Sequence, residues 1–183
     1  VSVSANANAE VLGGTISHKG SASTKALYCK GTVKMLSGVI ESSGKAATVG
    51  SGGSLTVAGG SVSGSIYLDY GSYASSLVVG AEEGTLPFID KIEMYTSGKK
   101  PLPIVVLNKG VIRDITASGA RAKEVKLSCR ASSADTLRFV NRPDDGLLSQ
   151  GTQFAETVID NEKCFYIAGL AAEDSAACVL HQG

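Results

Sequence analysis

Large aromatic side chains are scarce in this chain of 183 residues. Tryptophan is absent, and phenylalanine and tyrosine together make up 5% of the sequence. Aromatic residues dominate the packing of many globular cores, so this composition argues against a bulky core. The 22 glycines indicate frequent turns. Together these values favour a core of Val, Ile, Leu and Ala, arranged in thin layers.

Long apolar runs and an excess of one charge are also missing. No segment approaches the roughly 18 apolar residues of a membrane helix, so we expect no membrane span. The formal net charge is zero, and no basic stripe indicates nucleic acid as a partner. Charged side chains are sparse before Gly80 and frequent after it, which predicts a neutral, Ser- and Thr-coated surface for the first part of the chain.

Motifs that carry common enzymatic chemistry are not found. The two histidines, His18 and His181, lie at opposite ends of the chain without Ser, Cys or carboxylate partners at a motif spacing. GxSxG, HExxH, Walker and GxGxxG patterns are absent. The sequence therefore predicts no catalytic residue, metal site or cofactor.

A repeat with a step of eleven residues organises residues 53–90. Each unit contains two apolar residues separated by one, so both side chains leave the same face of a strand. Gly and Ser fill the intervals, as they do in sharp turns. Strands and turns at a constant period are typical of a stacked repeat. The pairs are Leu55 and Val57, Ile66 and Leu68, and Leu77 and Val79.

The repeat predicts an all-β, right-handed parallel β-helix or solenoid with coils of about 22 residues, two repeat units each. Val125, Leu127 and Cys129 continue an inward alternation after the prolines at 101 and 103, so the solenoid is expected to continue. We predict a flexible N-terminal tail over residues 1–10, solenoid coils over 11–140, and an irregular C-terminal cap over 141–183.

Residues 45–86 resemble the short Gly-Gly repeats of AIDA-type autotransporter adhesins. The resemblance is carried by the segments SGGSLTV (51–57) and AGGSV (58–62), in which a Gly-Gly turn alternates with a short strand. It implies a secreted or surface-displayed adhesin that binds a cell-surface glycan or a protein ligand. It identifies no binding residue.

A candidate ligand-binding group follows from the strand alternation around Ile66 and Leu68. With these two residues inward, Tyr67 and Asp69 point outward side by side, and Tyr73 follows after a turn. An aromatic face beside a carboxylate suits sugar binding, because Tyr offers apolar area with a polar tip. Half-buried strand surface also favours Tyr for structural reasons, and that alternative stays open.

Two other functions remain compatible with the predicted fold. A carbohydrate-active enzyme, a polysaccharide lyase or hydrolase, would need two carboxylates across a cleft, for example Asp69 and Glu93 from stacked coils. A phage or surface fibre segment, working as a homo-oligomer, would need an apolar stripe exposed on the monomer.

The four cysteines lie too far apart for a CxxC motif. We expect Cys129 to be buried and reduced, and Cys164 and Cys178 to form the best candidate for a disulfide. A bridge over so short a loop would stabilise the fold by about 3 kcal/mol. Counting thiols on the unfolded, unreduced protein should give two, and four free thiols would contradict the bridge.

Overall fold

The computed structural model describes residues 1–21, 24–82 and 85–171. Their regular secondary structure is nearly all β-strand, and they wind into a β-solenoid of about six turns of parallel strands. The predicted fold class is therefore confirmed. The strands are β1 (Ser2–Val3), β2 (Asn8–Val11), β3 (Thr15–His18), β4 (Lys25–Cys29), β5 (Thr32–Met35), β6 (Val39–Val49), β7 (Ser54–Val57), β8 (Ser61–Leu68), β9 (Ser76–Val79), β10 (Phe88–Thr96), β11 (Ile104–Leu107), β12 (Gly110–Gly119), β13 (Leu127–Cys129), β14 (Leu137–Phe139), β15 (Gln153–Ile159) and β16 (Glu162–Gly169).

Each turn of the solenoid contributes three strand segments, which form three walls. Wall B is a six-stranded sheet in the order β13-β11-β9-β7-β5-β2. The second sheet supplies two walls, because β3 pairs with the first part of β6 and β4 with its last part. Wall A consists of β1, β4 and the last parts of β6, β8, β10 and β12. Wall C consists of β3, the first parts of the same four strands, and β14.

Where the corners are tight, the coil length on wall B agrees with the predicted length of two eleven-residue repeat units. Thr32 pairs with Ser54, and Ser54 pairs with Ser76. The next coil, in which Val79 pairs with Leu107, is longer because its additional residues lie in the connections between strands. The strands themselves keep their register, so the longer coils still stack.

The apolar residues of the eleven-residue repeat point inward, as predicted. Leu55 and Leu77 are register partners on wall B, whereas Ile66 lies on wall A, so one repeat unit is half a coil. Each fully buried Leu or Ile contributes about 1.5–3 kcal/mol. The buried ladders of wall B are Val33, Leu55, Leu77, Val105 and Leu127, and beside them Met35, Val57, Val79, Leu107 and Cys129.

The first residues of the chain belong to the solenoid, where the sequence predicts a flexible tail. β1 pairs with β4, and β2 pairs with β5. The N-terminal ammonium of Val1 donates a hydrogen bond to the carbonyl oxygen of Ala26 at 2.8 Å. Val3 is buried, and Ala9 packs against the core. Backbone pairing and these apolar contacts place the segment in the first coil, although its small residues resemble those of a tail.

An antiparallel hairpin of β15 and β16 closes the C-terminal end of the parallel stack, within the region predicted to be a cap. Phe139 of β14 pairs with Phe165 in antiparallel register, and its ring meets that of Phe154 edge-on at 5.7 Å. Cys164 is buried in this hairpin. Its predicted partner, Cys178, lies outside the described residues, so the disulfide stays a prediction.

A column of glycines forms the corner between wall B and wall C in three consecutive coils. Gly14, Gly38 and Gly60 have φ angles of 77°, 96° and 80°, and the residues after them are register partners. A Cβ atom on Gly60 would collide with the carbonyl oxygen of Gly38, and one on Gly38 with that of Gly14. The backbones of neighbouring coils therefore approach closely only because these side chains are missing.

Gly60→Ala should destabilise the solenoid more than Gly14→Ala does. Both residues have nearly the same positive φ, which costs an L-residue roughly 1–2 kcal/mol, but a Cβ on Gly14 meets nothing within 4 Å. The collision at Gly60 adds the cost of overpacking, typically about 1–3 kcal/mol. Urea unfolding of the two variants measures the difference, and equal losses would contradict close packing at this corner.

Candidate functional site

The outward side of wall A carries a concentration of aromatic residues. Tyr28 lies on β4, Tyr67 on β8 and Tyr95 on β10, and Tyr70 follows the end of β8. Strand alternation places them there, because the residues between them on the same strands are buried in the core. We call this surface, defined by its four tyrosines, the tyrosine face.

Part of the tyrosine face forms a closed side-chain layer. Parallel register places Tyr28, Thr48, Tyr67 and Glu93 in one row across four neighbouring strands. Thr48 occupies an outward position, yet it is only 4% exposed, and its hydroxyl oxygen is buried without a hydrogen-bond partner. The flanking side chains must therefore lie along the wall and cover it.

Two lysines lie over the rings of this row. The Nζ atom of Lys45 is 3.5 Å from the centroid of the Tyr67 ring, and that of Lys25 is 4.1 Å from the centroid of Tyr28. These distances are within the range of a cation–π interaction. The face of the Tyr67 ring that carries Lys45 is consequently not open for stacking with a ligand.

The second part of the tyrosine face is an exposed aromatic pair. The rings of Tyr70 and Tyr95 have centroids 5.3 Å apart and are tilted by 49°, and the two residues are 43% and 37% exposed. A carboxylate oxygen of Asp69 accepts a hydrogen bond from the backbone N–H of Tyr70 at 2.9 Å. This bond ties the carboxylate and the first ring of the pair together.

The structure divides the three residues that the sequence groups together as a binding site. Tyr67 and Asp69 both lie on wall A, in agreement with the outward alternation. Tyr73 lies at the corner between wall A and wall B, where its backbone N–H donates to the hydroxyl of Ser51 at 3.0 Å. It is 73% exposed, and it lines a separate cavity with Asn6 and Lys30.

Burial, hydrogen bonds and neighbouring charges shift pKa values on the tyrosine face. Burial raises the pKa of Tyr67, and the negative charges of Asp69 and Glu93 raise it further. Burial would also raise the pKa of Glu93, but hydrogen bonds from Lys91 and Ser65 and the charges of Lys91 and Lys45 outweigh it and lower that pKa. The Nζ atom of Lys91 lies 2.8 Å from the Glu93 carboxylate. Glu93 is therefore suited to accept hydrogen bonds in its ionised form.

Sequence reasoning missed Tyr28, Tyr70, Tyr95 and the lysines of this face. Tyr28, Thr48 and Tyr67 belong to one row, but the number of residues from Tyr28 to Thr48 differs from the number from Thr48 to Tyr67. A search for a fixed repeat length therefore does not align them. The available signal was local: Tyr28, Tyr67 and Tyr95 each neighbour a buried Cys, Leu or Met on the same strand. Aligning the strands of successive coils by their alternating buried residues, without requiring a fixed repeat length, would have placed these tyrosines on one wall.

Other surface features in the described part of the chain carry less chemistry. A cavity of 530 Å³ beside β12 is lined by Lys123, Lys126 and Asp144, but the Lys126 ammonium already donates to the carbonyl oxygen of Gly146 at 2.6 Å. No group of three His, Cys, Asp or Glu side chains is placed to hold a metal ion within residues 1–21, 24–82 and 85–171. No helix there is long and apolar enough to cross a membrane.

Comparison with known proteins adds no further constraint on this site. No family model matches the chain, and no curated protein or solved structure is significantly similar to it.

The Glu93→Gln variant should show how this carboxylate contributes to stability. Because the pKa of Glu93 is lower in the folded chain, its ionisation stabilises the fold above the unfolded value of about 4.3. That contribution is lost as the pH falls through the lower folded pKa. We therefore expect the free energy of unfolding of parent and variant to converge on acidification, measured by urea unfolding from about pH 6 to about pH 3. A difference that is independent of pH would contradict this.

Proposed function

We propose that this chain is a secreted or surface-displayed β-solenoid adhesin module, and that its tyrosine face binds a cell-surface glycan. The observation that carries the proposal is the exposed pair of Tyr70 and Tyr95 beside the carboxylates of Asp69 and Glu93 on a flat wall. Tyrosine rings combine apolar contact area with a polar tip at a small entropic cost. Carboxylates accept hydrogen bonds from sugar hydroxyls.

The proposed centre of binding is Tyr70 and Tyr95 together with Asp69, and not the predicted group of Tyr67, Asp69 and Tyr73. The ring of Tyr67 carries the Lys45 ammonium, and Tyr73 lies at a corner away from the wall. A ligand that stacks on Tyr70 and Tyr95 can reach Asp69 at once, because Asp69 is bonded to the Tyr70 backbone.

The adhesin assignment and the extracellular location rest on the resemblance to AIDA-type passenger repeats. Two glycines of the resembling segments, Gly52 and Gly60, have positive φ and lie in the turns between strands. The local geometry is thus compatible with the Gly-Gly turns that the resemblance implies. Affinity for one site should be modest because the wall is flat, and many displayed copies would compensate by avidity.

The enzyme alternative has less support from the geometry. A glycosidase of the common type needs a general acid with a raised pKa and a second carboxylate across a cleft. Glu93, which lies on the same face as Asp69, has a lowered pKa. Three of the surface cavities on described residues contain a single carboxylate each: Asp144, Glu41 and Asp145.

The fibre alternative is favoured by one observation on wall B. Ile104 is 54% exposed, and beside it Val78 and Val106 are half-buried register partners on the outward side. The apolar stripe is short, however, because Thr56 precedes Val78 and Ser128 follows Val106 in the same row. We therefore place self-association into a fibre second to ligand binding.

The test is a glycan array probed with the parent and with the double variant Tyr70→Ala, Tyr95→Ala. Loss of both rings should weaken binding at least about tenfold, the equivalent of about 1.4 kcal/mol. Tyr73→Ala is the matched control, because it removes an exposed tyrosine outside the face, and it should bind like the parent. Circular dichroism checks that each variant is folded.

Analysis of the glycans after incubation separates binding from turnover. The proposal predicts that the bound oligosaccharides are recovered intact. A folded double variant that binds as tightly as the parent would exclude the tyrosine face as the site, and shortened products would favour the enzyme alternative.

A further inference from the structure

We infer that the ligand of the tyrosine face is an anionic glycan, whose sulfate or carboxylate groups are held by Lys25 and Lys45. This inference rests on the proposed function and specifies the ligand class. Its starting point is an unfavourable arrangement: Lys25 and Lys45 are register partners on neighbouring strands of wall A. Paired strands lie about 4.8 Å apart, and like charges placed directly opposite destabilise a sheet.

The cation–π contacts hold these lysines without neutralising them. Each ammonium lies over one tyrosine ring, Lys25 over Tyr28 and Lys45 over Tyr67. A ring attracts the cation but leaves N–H donors of the ammonium available for an acceptor. A third ammonium, of Lys30, lies 5.6 Å from the Tyr28 centroid. Three positive charges therefore surround one half of the tyrosine face.

Carboxylates do not offset this charge completely. Glu93 forms an ion pair with Lys91 on this face. The charge of Lys45 also acts on Glu93, but less strongly than that of Lys91. Asp69 lies near the exposed ring pair, with one carboxylate oxygen bonded to the Tyr70 backbone. The face is thus cationic at the early coils and acidic near Tyr70 and Tyr95.

Anionic groups bound to Lys25 and Lys45 would offset their charge and accept hydrogen bonds from the ammoniums. The two ammoniums lie over Tyr28 on β4 and Tyr67 on β8, with β6 between these strands, so successive acidic groups of one chain would reach them. A glycan chain that crosses the coils could then place its acidic groups on the lysines and a sugar ring on Tyr70 and Tyr95.

The experiment measures binding of the whole chain to immobilised dextran sulfate, polygalacturonate and neutral dextran at low and at physiological salt. The parent should bind a sulfated or a uronate polymer, and this binding should weaken as salt rises. The variant Lys25→Gln, Lys45→Gln should lose at least about tenfold in affinity. The control Lys99→Gln, Lys100→Gln makes the same charge change in the exposed loop between β10 and β11 and should bind like the parent.

The variant Lys25→Arg, Lys45→Arg keeps both charges and should retain binding, which separates recognition of an anion from a loss of folding. The relative response to dextran sulfate and polygalacturonate distinguishes sulfate from carboxylate as the group held. If the Gln variant loses binding to double-stranded DNA by the same factor, the inference is overturned in favour of non-specific polyanion attraction.

The inference and the proposed function fail in different ways. If a neutral glycan binds through Tyr70 and Tyr95 and the Gln variant binds it equally well, the inference is wrong and the adhesin proposal stands. If neither acidic polymers nor the oligosaccharides of the array bind, both are wrong.

Discussion

Parallel register between neighbouring coils is the constraint on which the rest of this structure depends. Stacked strands place every inward side chain between its counterparts in the coils above and below, so Leu55 and Leu77 form part of one continuous ladder. The same register organises the outside, because it brings Tyr28, Thr48 and Tyr67 into one row. A slip by one residue would exchange the two sides of the strand, since the side-chain period is two. Core and surface are therefore specified by a single set of backbone pairings.

The corner glycines and the longer connections explain why some of this architecture could be predicted from sequence and some could not. On wall B, tight corners keep the step equal from Thr32 to Ser54 and from Ser54 to Ser76, so the repeat around Leu55 was visible. On wall A, Leu27 pairs with Ala47, Ala47 with Ile66 and Ile66 with Ile92, and each of these three steps has a different length. No fixed period aligns these strands. The N-terminal coil was missed for a related reason, because Val3 alone marks its first strand as buried.

The candidate site depends on contacts between side chains of different coils, which the inward and outward alternation along one strand does not predict. Alternation correctly placed Tyr67 and Asp69 outward, but whether a ring is open to a ligand depends on its neighbours in other coils. Lys45 precedes Tyr67 by one coil and covers its ring, whereas Tyr95 follows by one coil and adds an exposed partner to Tyr70. The contacts between coils therefore make Tyr70 and Tyr95 better candidates for ligand binding than Tyr67 on the same wall.

The direction of the backbone hydrogen bonds has a mechanical consequence for this molecule. In a solenoid these bonds run along the stacking axis, from each coil to the next. A tension applied between the first and last coils would therefore load them in series and open one interface at a time, so the chain would lengthen by peeling and not by sudden rupture. The antiparallel hairpin of β15 and β16 responds differently at the C-terminal end. A turn joins its two strands, so the hydrogen bonds between them would bear the tension together and not one after another. Such a module would yield first at the interface between coils that has the fewest buried contacts.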